Sequence, residues 1–302
     1  MFRTVVVPLD GSPFAEQALP HALGIVRRAG ATLDLVHVHV LHVLEEHKVA
    51  RYSYDPAFDE EHKRKEQLYL EGTAKWLAAV SPVPWTAAVV SGLDADGILQ
   101  RVQDDKADLI VMTTHSRGPL GRFFLGGVAD ELIRKAAVPV LLVRPRDPAP
   151  GIVPEPLLEH VLVPLDGSSL AERVLETALD FVRLWEGRCT LLRVIEACPA
   201  TTAGRPNQPR PPEQEQEAAA QAYLEKIARR LRDEGVSVQT RVVVAPHAAP
   251  AILEAAQTER CDFIALATHG RGGLRRMLLG SVADKVIRGA STPVLVYRPA
   301  SD

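Results

Sequence analysis

The chain has 302 residues, a length that suits about two domains of roughly 150 residues each. Hydrophobic residues make up 46% and charged residues 24%, which is typical of a folded protein and excludes an intrinsically disordered one. The formal net charge of −3 lacks the basic excess of a nucleic-acid-binding surface, so we expect no nucleic-acid partner.

Short apolar runs alternate with longer helical patterns along the first half of the chain. Ser12 and Pro13 offer a helix N-cap followed by proline at the first helical position, which predicts a helix directly after the first strand. The expected elements are a strand Thr4–Pro8, a helix to Ala29, a strand Thr32–Val40, a helix Glu60–Ala79, a strand Trp85–Val90, a helix Asp94–Asp104, a strand Asp108–Thr113, a helix Phe123–Ala136 and a strand Val140–Val143. The second half repeats this order from Val161 to Tyr297.

Two long segments occur twice in the chain. TVVVPLDGSPFAE from Thr4 matches HVLVPLDGSSLAE from His160, an offset of 160 − 4 = 156. The 39-residue segment that begins ADLIVMTTHS at Ala107 matches the one that begins CDFIALATHG at Cys261, an offset of 261 − 107 = 154. Two matches in the same order at nearly one offset indicate a duplicated domain. We expect domains at 1–146 and 159–302, joined by a proline-rich linker at 147–158.

The strands are apolar and rich in β-branched residues, which favours parallel sheets covered by helices on both faces. Right-handed crossovers then predict two doubly wound, five-stranded α/β domains of Rossmann-like type, one in each copy. Such sheets bind ligands beyond the carboxyl ends of their strands, where the winding reverses. The loops after the first and fourth strands are therefore the expected positions of a site.

The loop after the first strand reads PLDGS in both copies. Its candidate residues are Pro8, Leu9 and Asp10 in the first copy and Pro164, Leu165 and Asp166 in the second. A carboxylate at this position can accept hydrogen bonds from ribose hydroxyls or an adenine amine. Equally, Asp-Gly-Ser is ordinary turn and cap chemistry, and the local sequence does not choose between these interpretations.

The loop after the fourth strand of the second copy is rich in glycine. It contains Ala267, Thr268, His269 and Gly270, then nine residues, then Gly280 and Ser281 at the start of the next helix. Glycine lets backbone N–H groups approach phosphate oxygens, and a helix N-terminus attracts anions. The alternative is a loop with glycine only at its bends.

PLDGS together with the pattern G/A-x-x-G-x9-G-S/T resembles the universal stress protein family, and the resemblance covers essentially the whole chain twice. It implies the adenine nucleotide alpha hydrolase-like fold, with ATP as ligand and Mg²⁺ or Mn²⁺ held through the phosphates. It also implies that Asp166 and Val194, or Asp10 and Val38, hold the nucleoside, and that the glycine loop holds the phosphates.

The resemblance yields one set of cofactor-binding residues for each copy. In the second copy these are Pro164, Leu165, Asp166, Val194, Ala267, His269, Gly270, Arg271, Gly280, Ser281 and Val282. In the first copy they are Pro8, Leu9, Asp10, Val38, Thr113, His115, Ser116, Gly126 and Gly127. Ser116 stands where the motif has its second glycine, and Gly127 stands where it has a hydroxyl residue. We therefore expect the second copy to bind ATP more tightly.

The expected function is that of an ATP-binding stress-response or regulatory protein with little or no turnover. We therefore expect no enzyme activity and leave a weak ATPase activity open. No Walker pattern G-x4-G-K-S/T occurs. A nucleotide-independent interaction module and a slow ATP hydrolase are the alternatives. The resemblance also implies that the two copies pair as a pseudo-dimer within the chain. Further homo-oligomers and an unidentified protein partner are expected.

Apolar runs, cysteines and histidines bear on cellular location and on metal binding. No apolar run approaches the roughly 20 residues of a membrane span, and no signal peptide precedes the first strand, so we expect a cytoplasmic protein without a membrane partner. Cys189, Cys198 and Cys261 form no CxxC pair and are expected to be buried or incidental thiols. The histidines at 37, 39, 42 and 47 lack a known metal-ligand spacing, which favours a chance arrangement.

Overall fold

A computed structural model describes residues 2–40, 43–46, 51–54, 56–114, 125–145, 155–197, 212–268 and 279–298. The chain forms two compact units, Met1–Pro156 and Leu157–Asp302. Among the residues that the structure describes, no helix is long and apolar enough to cross a membrane.

The first unit alternates strands and helices. Its described strands are β1 (Thr4–Pro8), β2 (Thr32–His39), β3 (Val43–Glu46), β4 (Arg51–Tyr54), β5 (Trp85–Ser91), β6 (Leu109–Thr113) and β7 (Val140–Val143). Its described helices are a 3₁₀ turn at Ala15–Ala18, α1 (Leu19–Ala29), α2 (Pro56–Val80), α3 (Asp94–Asp104) and α4 (Gly127–Lys135).

The second unit repeats the same order without the β3–β4 hairpin among its described residues. Its strands are β8 (His160–Pro164), β9 (Arg188–Glu196), β10 (Ser237–Ala245), β11 (Phe263–Ala267) and β12 (Val294–Tyr297). Its helices are α5 (Ser169–Glu172), α6 (Val174–Trp185), α7 (Glu213–Asp233), α8 (Ala248–Thr258) and α9 (Ser281–Gly289).

Each unit contains a parallel sheet whose winding reverses at its first strand. The strands of the first unit pair in the order β7, β6, β1, β2 and β5. Those of the second pair in the order β12, β11, β8, β9 and β10. From β8 the chain runs outward through β9 to β10 and returns to β11 on the other side of β8, so the loops after β8 and β11 diverge. The predicted α/β fold class is confirmed.

The helix after β1 begins later than its N-cap pattern predicts. The Ser12 hydroxyl accepts a hydrogen bond from the Ala15 amide at 3.2 Å, but this bond opens a 3₁₀ turn, and the α-helix starts only at Leu19. The antiparallel hairpin of β3 and β4 lies in a segment for which the sequence predicts no element. In contrast, α3 and β7 have the predicted bounds.

Apolar strands form the core of each unit, as their composition predicts. Val5, Val6 and Val7 of β1 are fully buried, and each such side chain stabilises the fold by roughly 1.5–3 kcal/mol. Cys189 and Cys261 are buried, whereas Cys198 lies outside the described residues. Burial raises the pKa of the Cys261 thiol to about 12, so this thiol is neutral near pH 7 and a poor nucleophile.

One buried ion pair ties α3 to the sheet of the first unit. Asp34 of β2 has no exposed surface, and its carboxylate accepts hydrogen bonds from Arg101 Nε and Nη2, each at 2.9 Å. The Thr86 hydroxyl donates a third, at 2.6 Å. The Asp34 carboxylate raises the pKa of Arg101, so the guanidinium remains charged. This arrangement satisfies a charge that would otherwise be costly to bury.

We expect Arg101→Ala to destabilise the first unit by about 3–5 kcal/mol, because the substitution leaves the buried Asp34 carboxylate without its charge partner. Urea unfolding measures this loss, and hydrogen exchange of the β2 amides, monitored in the same experiment, locates it in the first unit. The control is Arg134→Ala, which removes a partly exposed pair with Asp130 on one helix and should cost less than about 1 kcal/mol. Equal losses in both variants would contradict this assignment.

Candidate functional site

A cleft of about 970 Å³ lies at the carboxyl ends of β8, β9 and β11 in the second unit. It is lined by residues 164–167, 171, 192–196, 216, 219, 220, 223, 248, 252, 266–268, 279–283 and 286. Both loops that diverge at β8 and β11 contribute to this lining, as expected for a ligand site in a doubly wound sheet. Its volume is at the upper end of the range of small-molecule sites.

Eight of the eleven residues predicted for the second copy line this one cleft. They are Pro164, Leu165, Asp166, Val194, Ala267, Gly280, Ser281 and Val282. The other three, His269, Gly270 and Arg271, lie outside the described residues. The structure therefore brings together residues that are up to 118 positions apart in the sequence (282 − 164).

The PLDGS loop has the same conformation in both units. Asp166 Oδ1 accepts hydrogen bonds from the Ser168 amide at 2.9 Å and the Ser168 hydroxyl at 2.6 Å. Asp10 Oδ1 accepts the equivalent bonds from Ser12 at 3.0 and 2.6 Å. Gly167, with φ of +80°, adopts the left-handed conformation that side chains disfavour. Turn chemistry is therefore present, and it fixes the carboxylate of Asp166 at the wall of the cleft.

The start of α9 has the features of an anion site. Gly280 precedes the first helical residue and, as a glycine, offers no side-chain cap to the helix. Its amide donates to the Thr268 carbonyl at 2.8 Å, and a Cβ added at Gly280 would lie 3.0 Å from that oxygen. The close approach suits glycine here, and the amides of the first turn together with the helix dipole favour a negatively charged group.

The cleft wall also includes residues that were not predicted from the sequence, among them Arg193, Gln216, Ala220 and Tyr223. Arg193 Nη1 donates to the Leu165 carbonyl at 3.1 Å and so holds the PLDGS loop. Arg193 is a charged residue within the otherwise apolar run CTLLRVI, and this break in the strand pattern was the available signal. The Tyr223 hydroxyl donates to Glu172 at 2.8 Å; burial and this carboxylate raise the pKa of Tyr223, so the phenol stays protonated.

The first unit holds the corresponding motif residues at the corresponding strand ends. Pro8 ends β1 and is followed by Leu9 and Asp10, Val38 lies in β2, and Thr113 ends β6. Gly126 and Gly127 begin α4, and the Gly126 amide donates to the Thr114 carbonyl at 2.8 Å, as Gly280 does in the second unit. His115 and Ser116 lie outside the described residues.

The histidines of β2 pair with carboxylates of α2. His39 contacts Glu66 and Asp59, and His37 contacts Glu66. His42 and His47 lie outside the described residues. Within the described part of the chain, no group of three or more His, Cys, Asp or Glu side chains is arranged to hold a metal ion.

The sequence profile of the universal stress protein family matches residues 1–144 and again 158–298. The chain belongs to this family. The two matches correspond to the two units and account for the repeated PLDGS loop and the repeated glycine-led helix.

Individual relatives agree with the tandem architecture. Universal stress protein Rv2623 of Mycobacterium tuberculosis is 27% identical over 298 residues, which is 97% of this chain and 96% of that protein. Universal stress protein Rv2005c of the same organism is 32% identical over 195 residues, an alignment that spans 64% of this chain and only 63% of the relative. A crystal structure of a universal stress protein from Archaeoglobus fulgidus has a TM-score of 0.70 at 21% identity, covering 99% of this chain and 97% of that one, and shares the fold.

We expect Ser168→Ala to destabilise the second unit by about 1 kcal/mol, because Ser168 caps α5 through the Ala171 amide at 3.1 Å and also bonds Asp166. Thermal unfolding of the variant measures the loss. Ser237→Ala, at an exposed position that begins β10, is the control and should leave stability nearly unchanged. A Ser168→Ala variant as stable as the parent would show that the loop is held by other contacts.

Proposed function

We propose that the second unit binds ATP in this cleft, with Mg²⁺ or Mn²⁺ carried on the phosphates, and that the protein acts as a nucleotide-dependent regulator in a stress response. The observation that carries the proposal is the convergence of the PLDGS carboxylate and the glycine-led start of α9 on one cleft. Neither motif alone requires a nucleotide, but their common position fits a nucleoside at one end and phosphates at the other.

Each end of the nucleotide has a chemically suitable wall. Asp166 offers a carboxylate acceptor for ribose hydroxyls, and Val194 offers an apolar surface beside it. At the other end, the amides that follow Gly280 and the hydroxyl of Ser281 offer donors to phosphate oxygens. A divalent cation, when bound with the phosphates, would neutralise part of their charge.

The described part of the cleft is suited to binding ATP without rapid hydrolysis. Two carboxylates line it, and both are engaged with neighbouring groups: Asp166 with Ser168, and Glu196 with the Ala248 amide at 3.1 Å. A carboxylate committed to holding a loop or a helix start is poorly placed to activate water for attack on a phosphate. The proposal is therefore of a binding protein rather than an ATPase.

We expect nucleotide-free protein to bind ATP·Mg²⁺ in preference to GTP·Mg²⁺, and Gly280→Ala to weaken ATP binding at least about tenfold, which corresponds to ~1.4 kcal/mol. The added methyl group would lie 3.0 Å from the Thr268 carbonyl and displace the start of α9. Isothermal titration calorimetry measures both. Gly72→Ala, where an added Cβ meets nothing within 4 Å, is the matched control.

Two results would contradict the binding proposal in different ways. Absence of heat and of a thermal shift with ATP in nucleotide-free parent protein would contradict nucleotide binding itself, since at a hundredfold excess over Kd a ligand raises stability by about 2.7 kcal/mol. Parental affinity in Gly280→Ala would instead show that the phosphates are held elsewhere than at α9.

We expect steady-state ATP turnover far below the roughly 10 per second typical of enzymes, because no carboxylate of the described cleft lining is released to act as a base. Release of inorganic phosphate from purified protein with saturating ATP·Mg²⁺ measures this rate. A turnover near the typical enzyme value, lost together with binding in Gly280→Ala, would favour an ATP hydrolase instead.

A further inference from the structure

An equivalent hydrogen bond in the two units fixes how their residues correspond. Tyr69 of α2 donates to Glu16 at 2.8 Å, and Tyr223 of α7 donates to Glu172 at 2.8 Å. These residues differ by the repeat offsets of the sequence, 223 − 69 = 154 and 172 − 16 = 156. The pair anchors the long helix at the same place in both units, so positions near it can be compared directly.

One turn before this tyrosine, the long helices of the two units carry different side chains. In α7 the small residues Ala219 and Ala220 line the cleft. By the same offset of 154, α2 has Lys65 and Glu66 at those positions. Lys65 is exposed and pairs with Glu61 on the same helix, whereas Glu66 is largely buried and faces β2, where the second unit has only the methyl group of Ala220.

The strand that faces this helix also carries different side chains in the two units. Arg193 and Ile195 of β9 line the cleft, and by the offset of 156 their counterparts in β2 are His37 and His39. In the first unit the histidines of β2 and the carboxylates of α2 meet in the space between strand and helix. We call His37, His39, Asp59 and Glu66 the histidine–carboxylate cluster.

The contacts of the cluster are short and buried. His39 Nδ1 lies 2.7 Å from a Glu66 oxygen, and His39 Nε2 lies 3.0 Å from an Asp59 oxygen. The exposed fractions of these side chains are 1% for His39, 10% for Asp59 and 16% for Glu66. Each ring nitrogen of His39 therefore faces a carboxylate, so a single ring links two acidic side chains of α2 to β2.

We propose that the histidine–carboxylate cluster closes the nucleoside end of the first unit's site, so that each chain takes one nucleotide, in the second unit. This inference rests on the proposed function of the cleft. A nucleoside entering the first unit would have to displace Glu66 from His39 and leave buried charges without partners.

The test transfers the pair of His39 and Glu66 to the second unit of the full-length chain. Ala220→Glu combined with Ile195→His introduces the counterparts of Glu66 and His39, and Glu213 already stands at the sequence position of Asp59 (213 − 59 = 154). Arg193 remains where the first unit has His37. We expect calorimetry to give one ATP·Mg²⁺ per parent chain and at least a hundredfold weaker binding in this variant. Ala222→Glu adds the same charge at an exposed position of α7 and should bind like the parent.

A second measurement locates the nucleotide without any substitution. Photolabelling of the parent with 8-azido-ATP, followed by peptide mapping, should mark peptides of the second unit alone. Two nucleotides per chain, label in both units, or undiminished binding by a folded Ala220→Glu/Ile195→His variant would overturn this inference while leaving the proposed function intact. No nucleotide binding by the parent protein would overturn both.

Discussion

The hydrogen bond from the Gly280 amide to the Thr268 carbonyl, 2.8 Å long, sets the geometry on which the site depends. It joins the start of α9 to the end of β11 across a segment of eleven residues (280 − 268 − 1). Because β11 and β8 are neighbours in the sheet, this bond places the N-terminus of α9 beside the loop that follows β8. The first unit keeps the equivalent bond between Gly126 and Thr114, also at 2.8 Å. This hydrogen bond is therefore present in both units, although other parts of the units differ.

The cores show how far that divergence extends. Asp34 of the first unit is bound by Arg101 and Thr86, whereas its counterpart by the offset of 156 is Thr190, which lies 2.8 Å from the ring of a buried His160. One unit thus buries an ion pair and the other a neutral pair, and burial lowers the pKa of His160 accordingly. The same fold tolerates both because the Asp34 carboxylate is bound by a cation and a hydroxyl, and the Thr190 hydroxyl is bound by the imidazole ring.

The sequence predicts the elements whose signals are local and strong. Helix α3 and strand β7 have the expected bounds, because an amphipathic pattern and an apolar run define them without help from distant residues. The hairpin of β3 and β4 is missed because the residues between its strands, 47–50, contain no Asn-Gly or Asp-Gly turn. The helix after β1 begins late because the local Ser12 cap is followed by a 3₁₀ turn, and a cap pattern does not distinguish the two kinds of helix.

Some residues of the site belong to local sequence motifs, and others pair with residues that are distant in the sequence. Asp166 and Gly280 can be found in advance, since each belongs to a motif whose residues are close in sequence. The pairing of His39 with Glu66 cannot, because the two residues are 27 positions apart and neither belongs to a motif. Comparison of the two copies makes such pairs visible: where one copy has Ala220 and the other has Glu66, the repeat itself supplies the reference. In a tandem protein the second unit therefore serves as an internal control for the first, and a difference at an equivalent buried position can be interpreted as a change of role.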